Sequence, residues 1–351
     1  MMLTNLQAFR FVFALLVFVS HLNYVIPTNN IFWNRMYRYV FREGFIGVTF
    51  FFMLSGFILA HRYSKSIEQF TFSFKLFIKR RIARLLPMYY MSLLIALPLT
   101  FNEFMHGDRL FYFKKLVTNI LLVQSYIPIS DYYFSFNGVA WSISTELFFY
   151  VCFPFLLFIF ISHKNLIRTI VILAITVTGL CIIFFFGKNS YYWLYICPYV
   201  RVADFTVGIL TYLITKRNHI SLFSTTDSKR EYLTLSFGLF FLVISPYVHQ
   251  NFKLSVFYWC PMILFLLVFK DSQGKISKLL QHSIIQYMGS LSFSFYLIHH
   301  TIFKYYQNLN ELYKFELPTG LLILLLLGLS IFISHLLYTY VEEPARKLLR
   351  K

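Results

Sequence analysis

The sequence predicts an all-α polytopic membrane protein with about ten transmembrane helices and with both termini in the cytoplasm. Three observations predict this class. Of the 351 residues, 58% are hydrophobic and 13% are charged, which is about half the charged fraction of a soluble domain. The mean hydropathy is positive, at +0.64. Apolar runs of about 17–25 residues, the length that crosses a bilayer as a helix, recur along the chain. No change in composition marks a boundary, so residues 1–351 are predicted to form one membrane domain.

Ten apolar runs define the predicted spans. The first is interpreted as a retained span, because no small-residue cleavage site precedes its polar end as a signal peptide requires. The third follows the basic stretch FSFKLFIKRRIARLLP, which is predicted to lie along the membrane surface until Pro87 turns the chain inward. Segment 110–125 is apolar but short, and it is interpreted as interfacial or re-entrant. The predicted spans are 6–26, 45–62, 85–101, 146–162, 167–187, 193–216, 232–249, 252–269, 285–306 and 318–340.

The distribution of lysine and arginine orients these spans. With both termini inside, the inner segments carry 21 of these residues and the outer segments carry 10, as the positive-inside rule favours. The net charge of +18 is then mostly a consequence of topology, so nucleic-acid binding is not predicted. The four cysteines lie in apolar segments without a CxxC pair, a pattern that predicts neither a disulfide framework nor a metal site.

Several ionisable residues lie at membrane depth in this topology. Arg10 and His21 are eleven residues apart, which is about 16 Å along a helix and nearly the same face. Arg10 falls at the inner edge of the membrane. Such groups are costly in lipid and normally face a protein interior or a wet cavity. One slab, from the middle to the outer half of the membrane, is predicted to hold His21, Glu146, Arg201, Asp204 and His299.

Each of these residues also has a structural interpretation, which the sequence leaves open. Glu146 stands in the first turn of a helix, where a carboxylate complements the helix dipole. Arg201 and Asp204 are three residues apart and are placed to pair across one turn. His300 is predicted to point elsewhere on the helix than His299, and one of the two histidines is interpretable as a core or interfacial residue.

A basic cluster follows the second predicted span. It contains Lys79, Arg80, Arg81 and Arg84, and the last two are three residues apart on one helical face. One interpretation is anchoring on anionic lipid. The other is a phosphate clamp, because guanidinium groups match phosphoryl oxygens in shape and charge.

These features together resemble acyltransferase family 3, the integral-membrane acyltransferases that modify bacterial surface polysaccharides and other exported acceptors. The resemblance covers the whole chain and combines seven motifs in family order. They are the pair Arg10 and His21, GFIGVTFFFMLSGFILA (44–60), RRIARLLPMYY (80–90), WSISTELFFY (141–150), RVADFTVG (201–208), MGSLSFSFYLIHH (288–300) and VEEPARK (341–347). Ser292-Phe293 departs from the serine-tyrosine pair common in the family.

The resemblance implies an acyl-CoA donor, most often acetyl-CoA, as co-substrate, with no bound cofactor and no metal. It implies a hydroxyl acceptor on a cell-surface or lipid-linked glycan and a place in the bacterial cytoplasmic membrane. Arg10, Arg80, Arg81 and Arg84 would bind the donor. His21 would act as general base, since imidazole suits that task near neutral pH, and Glu146 would orient His21 or stabilise its charged form. The candidates for acceptor binding or transition-state support are Trp141, Ser142, Ser144, Arg201, Tyr296 and His299.

A different interpretation is a transporter or flippase for a polysaccharide or a lipid-linked sugar, because ten spans with charges near the midplane also suit transport. Use of a thioester donor separates the two, since a transporter has no need of it. The acceptor, the acyl chain and the oligomeric state are left open by the sequence.

Overall fold

The computed structural model describes residues 3–26, 30–162, 179, 189–217, 226–254 and 256–348. All regular elements within these ranges are helical, which confirms the all-α prediction. The longer helices are Thr4–Ser20, Ile46–Glu68, Phe74–Ala96, Arg109–Ile120, Trp141–Ser162, Pro198–Arg217, Asp227–Ile244, Trp259–Phe269, Ser283–Tyr313 and Thr319–Leu337. The shorter ones are Ile31–Met36, Phe101–His106, Ser130–Tyr133, Gln250–Lys253, Lys275–Leu280 and Glu343–Leu348.

Five helical segments in the described part of the chain are long and apolar enough to cross a membrane. They coincide with the first four predicted spans and the last one, so the chain is a multi-pass membrane protein. These segments are Thr4–Tyr24, Ile31–Glu68, Phe74–His106, Trp141–Ile161 and Thr319–Leu348. The total of ten spans and the cytoplasmic position of both termini stay predictions.

The other five predicted spans divide into two groups. The span predicted at 167–187 lies outside the described residues, apart from Gly179. The remaining four predicted spans fall on helices, but two of these helices do not cover their spans. Helix Pro198–Arg217 begins after a break at Cys197, within the span predicted at 193–216, and helix Trp259–Phe269 has only 11 residues. Helix Arg109–Ile120, at 12 residues, is likewise shorter than the roughly 20 residues that a span needs.

Helix Phe74–Ala96 differs from the prediction for this segment. It continues through Pro87, so the predicted inward turn at that residue is wrong. Proline removes one backbone hydrogen bond, and transmembrane helices tolerate this where neighbouring structure compensates. Here Leu85, Met88 and Tyr89 are all buried on either side of Pro87, and their packing holds the helix together. The basic cluster therefore lies within the helix.

The chain forms two compact units that interleave in sequence. The first unit comprises Met1–Arg10, Val48–Lys75 and Thr145–Tyr287, and the second comprises Phe11–Gly47, Leu76–Ser144 and Met288–Lys351. Neither unit is a continuous stretch of chain. The single domain over 1–351 stays a prediction.

In the first unit, helices Ile46–Glu68 and Pro198–Arg217 cross closely at one glycine from each helix. A Cβ atom added at Gly56 would lie 2.0 Å from the carbonyl oxygen of Phe205, and one at Gly208 would lie 1.9 Å from that of Met53. Real Cβ atoms do not approach backbone so closely. The two helices therefore pack backbone against backbone, as small residues permit in membrane proteins.

The second unit is built around the middle of helix Ser283–Tyr313, which is buried from Leu291 to Phe303. The loop before Trp141 is fastened to this helix. The amide of Asn137 donates hydrogen bonds to the carbonyl oxygen of Leu297, at 2.8 Å, and to the hydroxyl of Ser92, at 3.2 Å. These bonds hold the loop beside the part of the helix that carries the two histidines.

Candidate functional site

His21 lies directly after the end of helix Thr4–Ser20, in the second unit. Its backbone N–H donates to the carbonyl of Phe18 at 3.1 Å, and its ring nitrogen Nδ1 lies 2.9 Å from the carbonyl oxygen of Val17. A carbonyl oxygen accepts only, so Nδ1 carries the hydrogen. In the neutral ring, Nε2 is then unprotonated. The side chain is half-buried, so the imidazole combines a fixed orientation with partial exposure.

Two further histidines flank this imidazole. His299 Nε2 lies 3.3 Å from His21 Nδ1, and the ring centre of His300 lies 5.2 Å from that of His21. His300 points in another direction on the helix than His299, as predicted, and it still reaches the same imidazole. Successive helical residues differ by about 100°, and the His21 ring contacts both. The sequence signal for this histidine cluster was the adjacent pair His299 and His300, since His299 was predicted to lie at the same membrane depth as His21.

Tyr24 and Gly138 complete the surroundings of His300, and sequence reasoning missed both. The Tyr24 hydroxyl lies 3.3 Å from His300 Nε2. A Cβ atom at Gly138 would lie 2.7 Å from His300 Cε1, so only glycine fits against this ring without displacing it. Phe136, two residues before Gly138, is buried and adopts a left-handed backbone with φ of 56°. Such a conformation costs about 1–3 kcal/mol and persists only where the surrounding structure imposes it.

Ser142 and Tyr296, two of the predicted support residues, meet in the second unit. Their hydroxyl oxygens are 2.9 Å apart, and both lie within 3.2 Å of the carbonyl oxygen of Val139. The ring of Tyr296 is 6.1 Å from that of His299. The contact between Ser142 and Tyr296 came from the tertiary structure alone, and their role in acceptor binding or transition-state support stays a prediction.

Ser144 and Trp141 are buried at the start of helix Trp141–Ser162. Ser144 donates to the carbonyl oxygen of Leu122 at 2.6 Å, and its hydroxyl also lies 2.6 Å from that of Ser125. These contacts fasten the turn that follows helix Arg109–Ile120, and the predicted role of Ser144 and Trp141 in acceptor binding or transition-state support stays a prediction.

Glu146 belongs to the first unit, whereas His21 belongs to the second. Its Oε1 atom accepts hydrogen bonds from the hydroxyl groups of Ser55, at 3.1 Å, and Tyr150, at 2.5 Å. The half-buried carboxylate is therefore oriented by two hydroxyl donors. Its predicted action on His21 stays a prediction.

Arg201 pairs with Asp204 inside the first unit. A guanidinium nitrogen lies 3.0 Å from a carboxylate oxygen, and both side chains are almost completely buried. Arg201 also donates to Thr49 at 3.0 Å and to the carbonyl oxygen of Leu254 at 3.3 Å. Trp259 donates to the second oxygen of Asp204. This geometry matches the pairing that the three-residue spacing suggested.

The four candidate donor-binding arginines lie on two helices. Arg10 is half-buried within helix Thr4–Ser20. Arg80, Arg81 and Arg84 lie within helix Phe74–Ala96, where Arg81 is 6% exposed and its guanidinium lies 5.9 Å from the ring centre of Phe77. The spacing of Arg81 and Arg84 on one helical face is confirmed, while their predicted role in donor binding stays a prediction.

Comparison with known proteins gives consistent findings. The model of acyltransferase family 3, described as an acyltransferase domain, matches residues 3–339. Acyltransferase MdmB of Streptomyces mycarofaciens is 29% identical over 332 residues, which cover 87% of this chain and 82% of that protein. Putative acetyltransferase ORF330 of Acidianus two-tailed virus is 25% identical over 264 residues, 74% of this chain and 73% of its own.

A third relative is longer than this chain. O-acetyltransferase OatA of Staphylococcus aureus (strain NCTC 8325 / PS 47) is 27% identical over 335 residues, which cover 87% of this chain and 53% of OatA. The match therefore spans about half of that protein. Comparison with solved structures finds no match.

Proposed function

Because this chain belongs to acyltransferase family 3 and is an acyltransferase of the class that does not transfer aminoacyl groups, we propose that it moves an acyl group, most often acetyl, from acyl-CoA to a glycan hydroxyl. The donor would arrive from the cytoplasmic side of a bacterial inner membrane. The acceptor would be a cell-surface or lipid-linked glycan. The name of the relative OatA, an O-acetyltransferase, supports oxygen as the acceptor atom.

The observation that carries this proposal is the geometry of His21. Its Nδ1 is bonded to a backbone carbonyl, which leaves Nε2 as an unprotonated nitrogen on a half-buried ring. In the proposed step, Nε2 takes the proton of the acceptor hydroxyl while the oxygen attacks the thioester carbonyl. The carbon–sulfur bond then breaks, and the proton passes from His21 to the departing sulfur of coenzyme A. General base catalysis of this kind contributes about 10²–10⁴-fold.

Other residues have supporting roles in the proposal. Glu146 is proposed to stabilise the charged form of His21. Ser142 and Tyr296 are proposed to support binding of the acceptor, because each hydroxyl oxygen has lone pairs that can accept from a hydroxyl of the glycan. Arg10, Arg80, Arg81 and Arg84 are proposed to bind the phosphates of the donor, since charge-assisted hydrogen bonds from guanidinium groups are strong. A second route, in which His21 Nε2 itself carries the acyl group, remains compatible with the same geometry.

The runner-up proposal, a transporter or flippase for glycans, is disfavoured by family membership and by the enzyme names of the relatives. It predicts no consumption of thioester by the purified protein.

The first prediction concerns His21. The purified chain in lipid nanodiscs is assayed for release of free coenzyme A thiol from acetyl-CoA in the presence of glycan acceptors, with mass spectrometry of the product. His21→Ala is expected to lower kcat by about 10²–10⁴-fold, because the proton acceptor is lost. His106→Ala, at an exposed histidine in a short helix of the predicted outer connection, is the matched control and is expected to retain activity. Near-normal acyl transfer by His21→Ala would contradict the role of His21 as general base. Transport of a glycan without release of thiol would favour the flippase.

A further inference from the structure

We propose that His299 is a positioning residue for His21: it supplies the hydrogen-bond acceptor that, together with the Val17 carbonyl, holds the His21 ring with its Nε2 unprotonated. This inference rests on the proposed function for its catalytic consequence, but its structural part stands on geometry alone. In other acyl-transfer sites a carboxylate has this task. Here the orienting acceptor is a second, neutral imidazole.

The hydrogen positions follow from backbone contacts. His299 Nδ1 lies 3.1 Å from the carbonyl oxygen of Phe295, one helical turn earlier. Because the carbonyl only accepts, Nδ1 of His299 carries a hydrogen, and Nε2 of the neutral ring has a free lone pair. That lone pair is on the atom 3.3 Å from His21 Nδ1. His21 Nδ1 also carries its hydrogen, so the contact joins a donor to an acceptor.

His21 therefore shares one hydrogen between two acceptors, the Val17 oxygen at 2.9 Å and His299 Nε2 at 3.3 Å. Moving that hydrogen to Nε2 would leave three lone pairs facing one another, which is unfavourable. The same two acceptors remain satisfied when Nε2 takes up a proton, because the Nδ1 hydrogen is present in both states. The arrangement thus serves the ring before and after proton transfer.

A cage of aromatic rings fixes His299 itself. Its side chain is 0% exposed. The ring stacks on Phe295 with centres 5.9 Å apart and planes inclined by 18°, and Phe303 meets it edge-on at 6.1 Å. Phe18 packs against it as well, at 6.1 Å. Apolar walls exclude water that would compete for Nε2, and they make a second proton on this ring costly.

His300 differs from His299 in how it touches His21. Its Nε2 faces the Tyr24 hydroxyl at 3.3 Å, and its ring meets the His21 ring at 76°. The contact between His300 and His21 is one of ring packing. The hydrogen-bonding role therefore falls to His299.

Two variants of similar size separate hydrogen bonding from packing. In His299→Gln the side-chain amide reaches the former position of Nε2 and offers an acceptor to His21. In His299→Asn the amide reaches only the former position of Nδ1, so it bonds Phe295 and leaves His21 without its second acceptor. Both variants put a neutral amide in the cage, and they differ by one methylene group.

The experiment uses the full chain in nanodiscs. Nitrogen-15 NMR of labelled histidine, with His21 assigned through His21→Asn, measures which ring nitrogen is protonated. We expect wild type and His299→Gln to show His21 with Nε2 unprotonated, and His299→Asn to show a mixture. In acyl transfer, His299→Asn is expected to lower kcat at least tenfold with KM for acyl-CoA within about twofold, while His299→Gln recovers to within about fivefold of wild type.

Two outcomes overturn the inference. One is an unchanged His21 spectrum in His299→Asn, and the other is equal activity of the Asn and Gln variants. Failure of the proposed function has a different signature, namely no acyl transfer by the wild type. The NMR comparison still decides the hydrogen-bonding role in that case, because it requires no substrate.

Discussion

The contacts of Arg201 and Asp204 distinguish between two roles that their predicted membrane depth left open. The sequence placed both at membrane depth and allowed either a structural pair or an acceptor-binding role. In the structure the guanidinium contacts Asp204, Thr49 and the Leu254 carbonyl, and it lies 5.0 Å from the ring centre of Phe52. With its side chain only 1% exposed, the structural interpretation is the better supported one.

The second prediction follows from this burial. Arg201→Leu leaves the Asp204 carboxylate buried without its cation, so we expect a loss of about 3–5 kcal/mol in the free energy of unfolding. The double variant Arg201→Leu with Asp204→Leu removes both charges and is expected to recover most of that loss. Unfolding in mixed micelles titrated with SDS measures the difference. A fully stable single variant with a raised KM for the glycan would instead indicate acceptor binding.

At the scale of helices, the sequence predicted the elements better than their contacts. Apolar runs located the long helices, but nothing in a hydropathy pattern shows that Gly56 and Gly208 face each other. The crossing matters because each glycine lies against a carbonyl oxygen of the partner helix, at Phe205 and Met53. Backbone cannot yield as a flexible side chain does, so this pair fixes the separation of the two helices.

The third prediction tests that crossing. Gly56→Ala and Gly208→Ala are each expected to lower the free energy of unfolding by about 1–3 kcal/mol, because the added methyl group overpacks the contact. Gly238→Ala is the matched control, since no atom other than those of its own helix backbone and its two chain neighbours lies within 4 Å of the position that its methyl group would take. There alanine is expected to be neutral or to stabilise by up to about 1 kcal/mol. Equal effects at all three glycines, measured by SDS titration, would contradict the crossing.

At the scale of the whole molecule, charge and hydropathy set the class and the orientation. The excess of lysine and arginine on the predicted inner side, 21 against 10, favours cytoplasmic termini. Five apolar helical segments among the described residues establish the multi-pass character. The charge asymmetry and the hydropathy are both sums over many residues, so an error of a few residues in the bounds of one span does not change either conclusion.

The last prediction tests this orientation. A green fluorescent protein fused after Lys351 is expected to fluoresce, because it folds in the cytoplasm, while alkaline phosphatase inserted after Gly107 is expected to be active outside. Gly107 follows helix Phe101–His106 in the predicted outer connection. Both fusions are quantified against equal amounts of membrane-inserted protein. An active phosphatase at the C-terminus would reverse the predicted topology.

The sequence by itself determined the helical class, the membrane environment, the family motifs and His21, because these depend on composition, period and residue order. It mispredicted the effect of Pro87, since packing on both sides of that residue decided it. Only the tertiary structure decided that His299 Nε2 faces His21 Nδ1, across 278 residues of chain. Such a contact depends on the positions of two ring atoms to within a few tenths of an ångström, which helical periodicity does not specify. The choice of the ring nitrogen of His21 that carries the hydrogen therefore depends on the folded structure, although the sequence already indicated His21 as a candidate catalytic residue.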